Sequence, residues 1–280
     1  MIICKTTQEI RDLDANLTSG KKLIGFVPTM GALHNGHISL IKESKKGCDI
    51  TICSIFVNPN QFNDKGDLAR YPRTPEADIK MLEEAGCDVV FMPSVEEIYP
   101  KADTRLFDFG TIDKVLDGAY RPGHFNGVAQ VVSRLFDIVK PHKAFFGLKD
   151  YQQVLVIKKM VEQLQLKVQI VACSILREAD GLAMSSRNTL LNTEERRAAS
   201  LIPKLMQEAK TLSKTMPLVD VKTKLLAEIS TNPTLKADYI EFCDADTLQP
   251  VTEIKPGKKV ICLSAIFSGK IRLIDNLFIN

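Results

Sequence analysis

Leu23-Ile24-Gly25-Phe26-Val27-Pro28-Thr29-Met30-Gly31-Ala32-Leu33-His34-Asn35-Gly36-His37 is the stretch from which the fold is read. Leu23 to Val27 is a short apolar run that reads as a buried strand, ending at Pro28. A helical pattern follows from about Gly36 to Lys46. A buried strand that turns at once into a helix is the first part of a βαβ unit.

The same alternation continues outward. Ile50 to Val57 is a second apolar run, closed by Asn58-Pro59. Pro75 opens a helical pattern to Ala85, with Glu76 and Asp78 in the first turn, where the helix dipole favours acids. Val89-Val90-Phe91 predicts a strand. From His124 to Val139, Val128, Val131, Val132, Leu135, Phe136 and Val139 recur at helical spacing. Ala144 to Phe146, Tyr151 to Leu164 and Lys167 to Ala172 add strand, helix and strand. The expectation is an α/β fold with a doubly wound, mainly parallel sheet. Ligands of such sheets bind beyond the carboxyl ends of the strands, so the loops after Val27, Val57 and Phe146 should meet at one site.

The rest of the chain changes character. Helical patterns near Glu194–Ser213 and Leu218–Ile229 precede strands near Tyr239–Phe242, Val260–Ala265 and Ile271–Ile274. Helices followed by strands predict a smaller α+β domain. The expected division is 1–176 and 177–280.

Bulk properties exclude several classes. The 280 residues are 45% apolar and 25% charged, an ordinary globular balance. With 37 basic and 34 acidic residues, the net charge of +3 is too small to point to nucleic acid or an anionic membrane as partner. No apolar run reaches the length of a membrane span, and no secretory signal is read at the start. The seven cysteines are odd in number and form no C-x-x-C. They read as free thiols of a reducing, cytoplasmic compartment, with no zinc site.

Four segments carry the chemistry. In the first, Gly31 and Gly36 permit close backbone approach, and the new helix turns unpaired N–H groups and its positive end toward a ligand. His34 and His37, three apart, can face that ligand together and stabilise charge at phosphorus. Two of the four histidines of the chain sit in this turn. The same residues also read as a plain turn with capping histidines. The second segment, Asn58-Pro59-Asn60-Gln61, follows a strand. Gln61 suits a ligand with hydroxyl and carboxylate groups, while Asn-Pro also marks an ordinary turn. In the third, Gly147-Leu148-Lys149-Asp150, Lys149 is placed to meet a phosphate. Asp150 can cap the helix, hold a nucleotide hydroxyl or approach Mg²⁺. Gln153 lies one turn on and can share a pocket with Gln61. The fourth, Met184-Ser185-Ser186-Arg187, offers hydroxyl donors beside a planar cation, a phosphate grip or equally a polar linker. Arg121-Pro122-Gly123-His124 reads mainly as the start of a helix. Arg70 to Pro75 reads as a basic, prolyl loop near the site.

These segments together resemble a known family. His34-Asn35-Gly36-His37 is similar to the HxGH signature of the class I aminoacyl-tRNA synthetase-like nucleotidyl-transferring superfamily, and Met184-Ser185-Ser186-Arg187 to its second phosphate loop. The ordered set PTMGALHNGH (28–37), FVNPNQF (56–62), RYPRTPEAD (70–78), RPGHFNGV (121–128), GLKDYQQ (147–153) and DGLAMSSRN (180–188) resembles the pantothenate synthetase (pantoate–β-alanine ligase) family. The resemblance covers about residues 28 to 190.

It implies a Rossmann-like first domain, a smaller C-terminal lid and a homodimer. It implies an ATP-dependent ligase that adenylates pantoate and transfers the acyl group to β-alanine, with Mg²⁺ accompanying ATP. By position, Met30, Gly31, Ala32, Leu33, His34, Asn35, Gly36 and His37 hold ATP, and His37 is the proton donor. Gly147, Leu148, Lys149, Asp150, Leu176, Met184, Ser185, Ser186 and Arg187 complete the ATP site. His34, Lys149, Ser185, Ser186 and Arg187 join His37 in catalysis. Gln61 and Gln153 bind pantoate, and Gln61 also lies near β-alanine. One departure is Ala129-Gln130, where the resemblance leads one to expect a threonine before the two valines. A nucleotidyltransferase acting on a phosphorylated substrate would share the two loops. A non-catalytic nucleotide- or RNA-binding protein would not need His34, His37, Lys149 and Arg187.

Overall fold

The computed structural model describes residues 1–17, 22–62 and 65–280. The chain forms two compact units. One comprises Met1–Leu148 and Gln153–Ser174, the other Lys149–Gln152 and Ile175–Asn280.

The first unit is built on parallel strands β1 (Ile2–Cys4), β2 (Ile24–Thr29), β3 (Ile50–Ile55), β4 (Val89–Phe91), β5 (Lys143–Gly147) and β6 (Gln169–Cys173), in the order β1-β4-β3-β2-β5-β6. Between them run α1 (Thr7–Leu17), α2 (Asn35–Gly47), α3 (Lys65–Arg70), α4 (Pro75–Glu84), α5 (Val95–Ile98), α6 (Asp117–Tyr120), α7 (His124–Val139) and α8 (Tyr151–Gln163). Alternate residues of the central strands enter two cores. Ile24 and Phe26 pack with Phe136 and Ile157 on one face, whereas Val27, Cys53 and Val90 pack with Ile41 and Leu82 on the other. Burial on both faces is why these strands read as continuous apolar runs.

The strand expected to end at Pro28 runs to Thr29, with Pro28 in register with Ser54 of β3. On its other side β2 pairs with β5 only at Gly25 and Phe26. Beyond Phe26 the strand is an edge on that side, so the amide hydrogen that proline lacks is not missed. Gly25 is required by packing: a Cβ there would run into Ser44 Oγ of α2. Periodicity assigns no element to residues 1–22. Yet α1 carries a capping signature, Thr6-x-x-Glu9, with Glu9 N donating to Thr6 Oγ1 and Thr6 N donating to Glu9 Oε2.

The second unit holds α9 (Thr193–Ala199), α10 (Leu201–Leu212) and α11 (Leu218–Ser230), followed by an antiparallel sheet of β7 (Leu235–Asp244), β8 (Val260–Ser268) and β9 (Ile271–Phe278). The single helix expected over Glu194–Ser213 is two, broken at Ser200. Pro203 explains the break. It has no N–H for the carbonyl of Ala199, and its ring would collide with that carbonyl in a continuous helix. The helices bury Ile202, Leu205, Met206, Val221 and Leu225 against Phe242, Cys262 and Ile266.

All seven cysteines are free thiols. Burial pushes Cys87 up to about 11 and Cys243 up to about 12, so neither is a thiolate at neutral pH.

Candidate active site

In the first unit the turn between β2 and α2 is fixed largely by backbone. Gly31 and Ala32 are both left-handed, at φ 79° and 49°. A Cβ on Gly31 would sit 3.0 Å from both Asp78 Oδ2 and Ile55 Cγ2. Thr29 Oγ1 donates to Ser54 O at 2.7 Å and accepts from Gly31 N at 3.2 Å. Asp78 closes the turn. Its carboxylate, 1% exposed, accepts from Ala32 N at 3.0 Å, Leu33 N at 2.8 Å and Thr74 Oγ1 at 3.1 Å. The sequence suggests for Asp78 only a favourable place in the helix dipole. Its hold on a loop more than forty residues away has no local signal.

His34 and His37 form a reciprocal cap. Gly36 N donates to His34 Nδ1 at 3.1 Å, and His34 N donates to His37 Nδ1 at 3.3 Å. The rings lie 4.0 Å apart at 35°. Each Nδ1 accepts from backbone, so in the neutral ring the proton is on Nε2. Asn35 and Gly36 form the first helical residues of α2, so its N-terminal amides belong to the same turn. The capping reading and the ligand reading of these histidines are therefore compatible.

Met30 and Gln61 are brought together: Gln61 Nε2 donates to Met30 Sδ at 2.8 Å. Gln61 is held from several sides. Asn58 Nδ2 donates to its Oε1 at 3.3 Å and to Gly127 O at 3.1 Å. Tyr99 O–H donates to Asn58 Oδ1 at 2.9 Å, and burial pushes its hydroxyl up to about 12, so it remains a donor. Gly127 lies so close to the backbone of Asn60 and Gln61 that no Cβ fits there. His124 does more than start α7. Its buried ring lies 2.7 Å, through Nδ1, from Gln61 O, and 3.0 Å, through Nε2, from Arg121 Nη1. Arginine can only donate, so Nε2 accepts and Nδ1 donates to the carbonyl. Of the residues that hold Gln61 in place, Asn58, His124 and Gly127 stand in segments that the sequence already marks, though not for this bracing role, whereas Tyr99 carries no sequence signal at all.

Gly147 ends β5, and Leu148 opens a short 3₁₀ turn. Gln153 is half-buried in the first turn of α8. Arg70, expected in a loop, ends α3, and Arg73 donates to the carbonyls of Tyr71 and Leu68. Gln130, the departure from the family pattern, is buried and donates through Nε2 to the carbonyls of Asp103 and Arg105. Asp103 itself bridges Arg105 and Arg134 at 2.6 and 2.7 Å. The Arg105 guanidinium, with Arg134 behind it, holds the Asp103 carboxyl well below the usual carboxylate range.

In the second unit, Lys149 Nζ lies 3.6 Å from Asp150 Oδ1, and Tyr151 O–H donates to Ala245 O at 2.9 Å. Leu176 O accepts from Met184 N at 3.0 Å across a narrow turn whose apex, Gly181, has φ 89°. Ser185 caps the 3₁₀ turn Ser186–Leu190, its hydroxyl accepting from Arg187 N at 3.3 Å. Lys149, Ser185, Asn188 and Asp275 share the wall of one cleft. Asn188 Oδ1 is buried without a protein hydrogen bond, while its Nδ2 donates to Glu178 and to Ala183 O at 3.1 Å.

The first unit thus carries an amide-rich histidine turn and a neutral amide cradle around Gln61, and the second a cationic and hydroxyl-bearing turn. The profile of the pantoate-beta-alanine ligase family matches residues 2–278. The chain belongs to that family. A pantothenate synthetase of Porphyromonas gingivalis is 49% identical over 277 residues, covering 99% of each chain. One of Fervidobacterium nodosum is 48% identical over 282 residues, covering all of both. Among solved structures, a pantothenate synthetase from Thermus thermophilus aligns over 100% of this chain and 99% of its own, with TM-score 0.91 and 38% identity. The Francisella tularensis pantoate-beta-alanine ligase, complexed with beta-gamma ATP and beta-alanine, aligns over 100% and 98%, with TM-score 0.84 and 36% identity. Family membership thus extends beyond residues 28–190, which carried the resemblance, into the C-terminal unit.

Proposed function

We infer that the chain is a ligase condensing (R)-pantoate with β-alanine, with ATP as co-substrate, to give pantothenate, AMP and pyrophosphate. A carboxylate oxygen of pantoate attacks the α-phosphorus, and the bond to the bridging oxygen breaks as pyrophosphate leaves. The amine of β-alanine then attacks the acyl carbon of pantoyl adenylate. AMP departs and the new amide nitrogen loses a proton.

The observation that carries this reading is the reciprocal cap of His34 and His37. It puts an Nε2 proton on each ring beside the N-terminal amides of α2. Charge builds on phosphoryl oxygens during adenylation, and such donors stabilise it without reorganising. In this reading Met30 to His37 hold ATP, and His37, the donor of the turn, gives its Nε2 hydrogen in a hydrogen bond to the phosphate oxygens as pyrophosphate leaves. Gly147 to Asp150, the backbone of Leu176, and Met184 to Arg187 complete the nucleotide site. Lys149, Ser185, Ser186 and Arg187 grip phosphates in the transition state. Gln61 and Gln153 hold the hydroxyls and carboxylate of pantoate, and Gln61 also meets β-alanine. Positioning and electrostatics suffice, and no protein nucleophile is needed.

Mg²⁺ in this reading arrives with ATP, neutralising phosphate charge. Among the described residues, no group of three or more His, Cys, Asp or Glu stands ready to hold a metal by itself. The fit is to a metal–nucleotide complex, with Asp150 the nearby carboxylate. A homodimer and a cytoplasmic location belong to the family reading. No helix among the described residues is long and apolar enough to cross a membrane.

The test is AMP and pyrophosphate formation from ATP, Mg²⁺ and pantoate, with and without β-alanine. Sustained AMP release that needs both substrates, with pantothenate as product, is expected. A stable nucleotide-containing product formed without the amine would replace the ligase by a nucleotidyltransferase.

A further inference from the structure

β9 buries two consecutive polar residues, Asp275 at 3% and Asn276 at 4% exposure. Successive strand residues point to opposite faces, so packing alone asks at most one of them to be buried. Buried polar groups are costly unless partnered, and an apolar pair would serve the core better. Their partners show what the arrangement achieves. Asn276 Nδ2 donates to the backbone carbonyl of Lys149 at 3.0 Å. Asp275 receives both arms of the Arg177 guanidinium, at 2.7 and 2.9 Å. Arg177 Nη1 also donates to Gly181 O at 3.0 Å, pinning the turn that leads to Ser185. The pair is itself immobilised. Asn276 N donates to Asp275 Oδ1 at 2.8 Å, and Ser264 Oγ donates to Asp275 O at 3.3 Å from β8.

We propose that Asp275 and Asn276 are positioning residues for adenylation. Asn276 anchors the backbone that carries Lys149, and Asp275, through Arg177, anchors the turn that delivers Ser185, Ser186 and Arg187. One strand segment thereby sets the spacing between a cation and a hydroxyl–guanidinium loop, which already share a cleft. A triphosphate is a flexible polyanion, and holding it in line for attack requires two grips at a fixed separation. The proposal rests on the reading of Lys149 and Ser185 to Arg187 as phosphate-binding groups.

The experiment compares Asn276→Ala, the volume-conserving Asn276→Leu, Lys149→Ala and the double variant Lys149→Ala/Asn276→Ala. Each is assayed for pantoate-dependent exchange of labelled pyrophosphate into ATP, and for pantothenate release from supplied pantoyl adenylate and β-alanine. Both Asn276 variants should lose exchange by roughly ten- to hundredfold, the scale of a misplaced group. The KM for pantoate and the second half-reaction should hold, and the double variant should be no slower than Lys149→Ala. Wild-type exchange in folded Asn276 variants, alongside a crippled Lys149→Ala, overturns the positioning role. So does an equal loss in both half-reactions, which marks a purely structural residue. Wild-type exchange in Lys149→Ala overturns the phosphate reading itself.

Discussion

The two turns proposed to grip phosphate are built in opposite ways. The His34–His37 turn is mostly self-made, from left-handed Gly31 and Ala32 and two rings that cap their own helix. The Ser185–Arg187 turn depends on remote support. Arg177, at its base, is held by Asp275, 98 residues away in sequence. Lys149, which shares its cleft, is held by Asn276, 127 residues away. A turn made of local hydrogen bonds announces itself in sequence. One made of long-range bonds shows only its tips.

Removing the chemistry from the self-made turn should have the largest effect. His37→Ala is expected to lower turnover by roughly two to four orders of magnitude, the scale of lost acid or electrostatic catalysis. Steady-state AMP release measures it, and near-wild-type turnover would take His37 out of the mechanism. Next comes the supported turn. Arg177→Met leaves the Asp275 carboxylate buried and unpaired, which should destabilise the second unit by about 3–5 kcal/mol in urea unfolding. Arg177→Met/Asp275→Leu should recover much of that loss. A double variant no more stable than the single one would mean that the ion pair is not what holds this turn.

The self-made turn is not wholly independent, and Asp78 measures how far. Asp78→Ala orphans the amides of Ala32 and Leu33 and should cost about 3 kcal/mol at typical values for charge-assisted hydrogen bonds. An unchanged urea midpoint would show that the glycine geometry alone sets the turn. The smallest effect expected is acid sensitivity in the network behind Gln61. The folded pKa of Asp103 lies below its unfolded value near 4. Its stabilisation is therefore complete above about pH 4 and fades as pH falls through the folded value. Asp103→Asn should lower stability at neutral pH and flatten the acid limb of a stability–pH curve. An acid limb of unchanged slope would assign acid unfolding to other carboxylates.

Much of the fold was legible. Val89–Phe91 and His124–Val139 match the sequence limits, because a buried strand and an amphipathic helix write their periods directly. The break at Ser200 had a readable cause in Pro203 that helical periodicity alone concealed. β1 gave no signal, since three residues at a sheet edge, two of them exposed, carry no pattern.

By itself the sequence determined the alternation of strand and helix, the positions of the glycine turns and the residue types at their tips. These follow from periods of two and 3.6 residues and from backbone freedom, which are properties of neighbours in the chain. The tertiary structure decided that Asp78 closes the histidine turn, that His124 and Tyr99 brace the Gln61 loop, and that Asp275 and Asn276 anchor the second turn. A buried polar group is held by whichever partner the fold brings within about 3 Å. That distance is unrelated to separation along the chain.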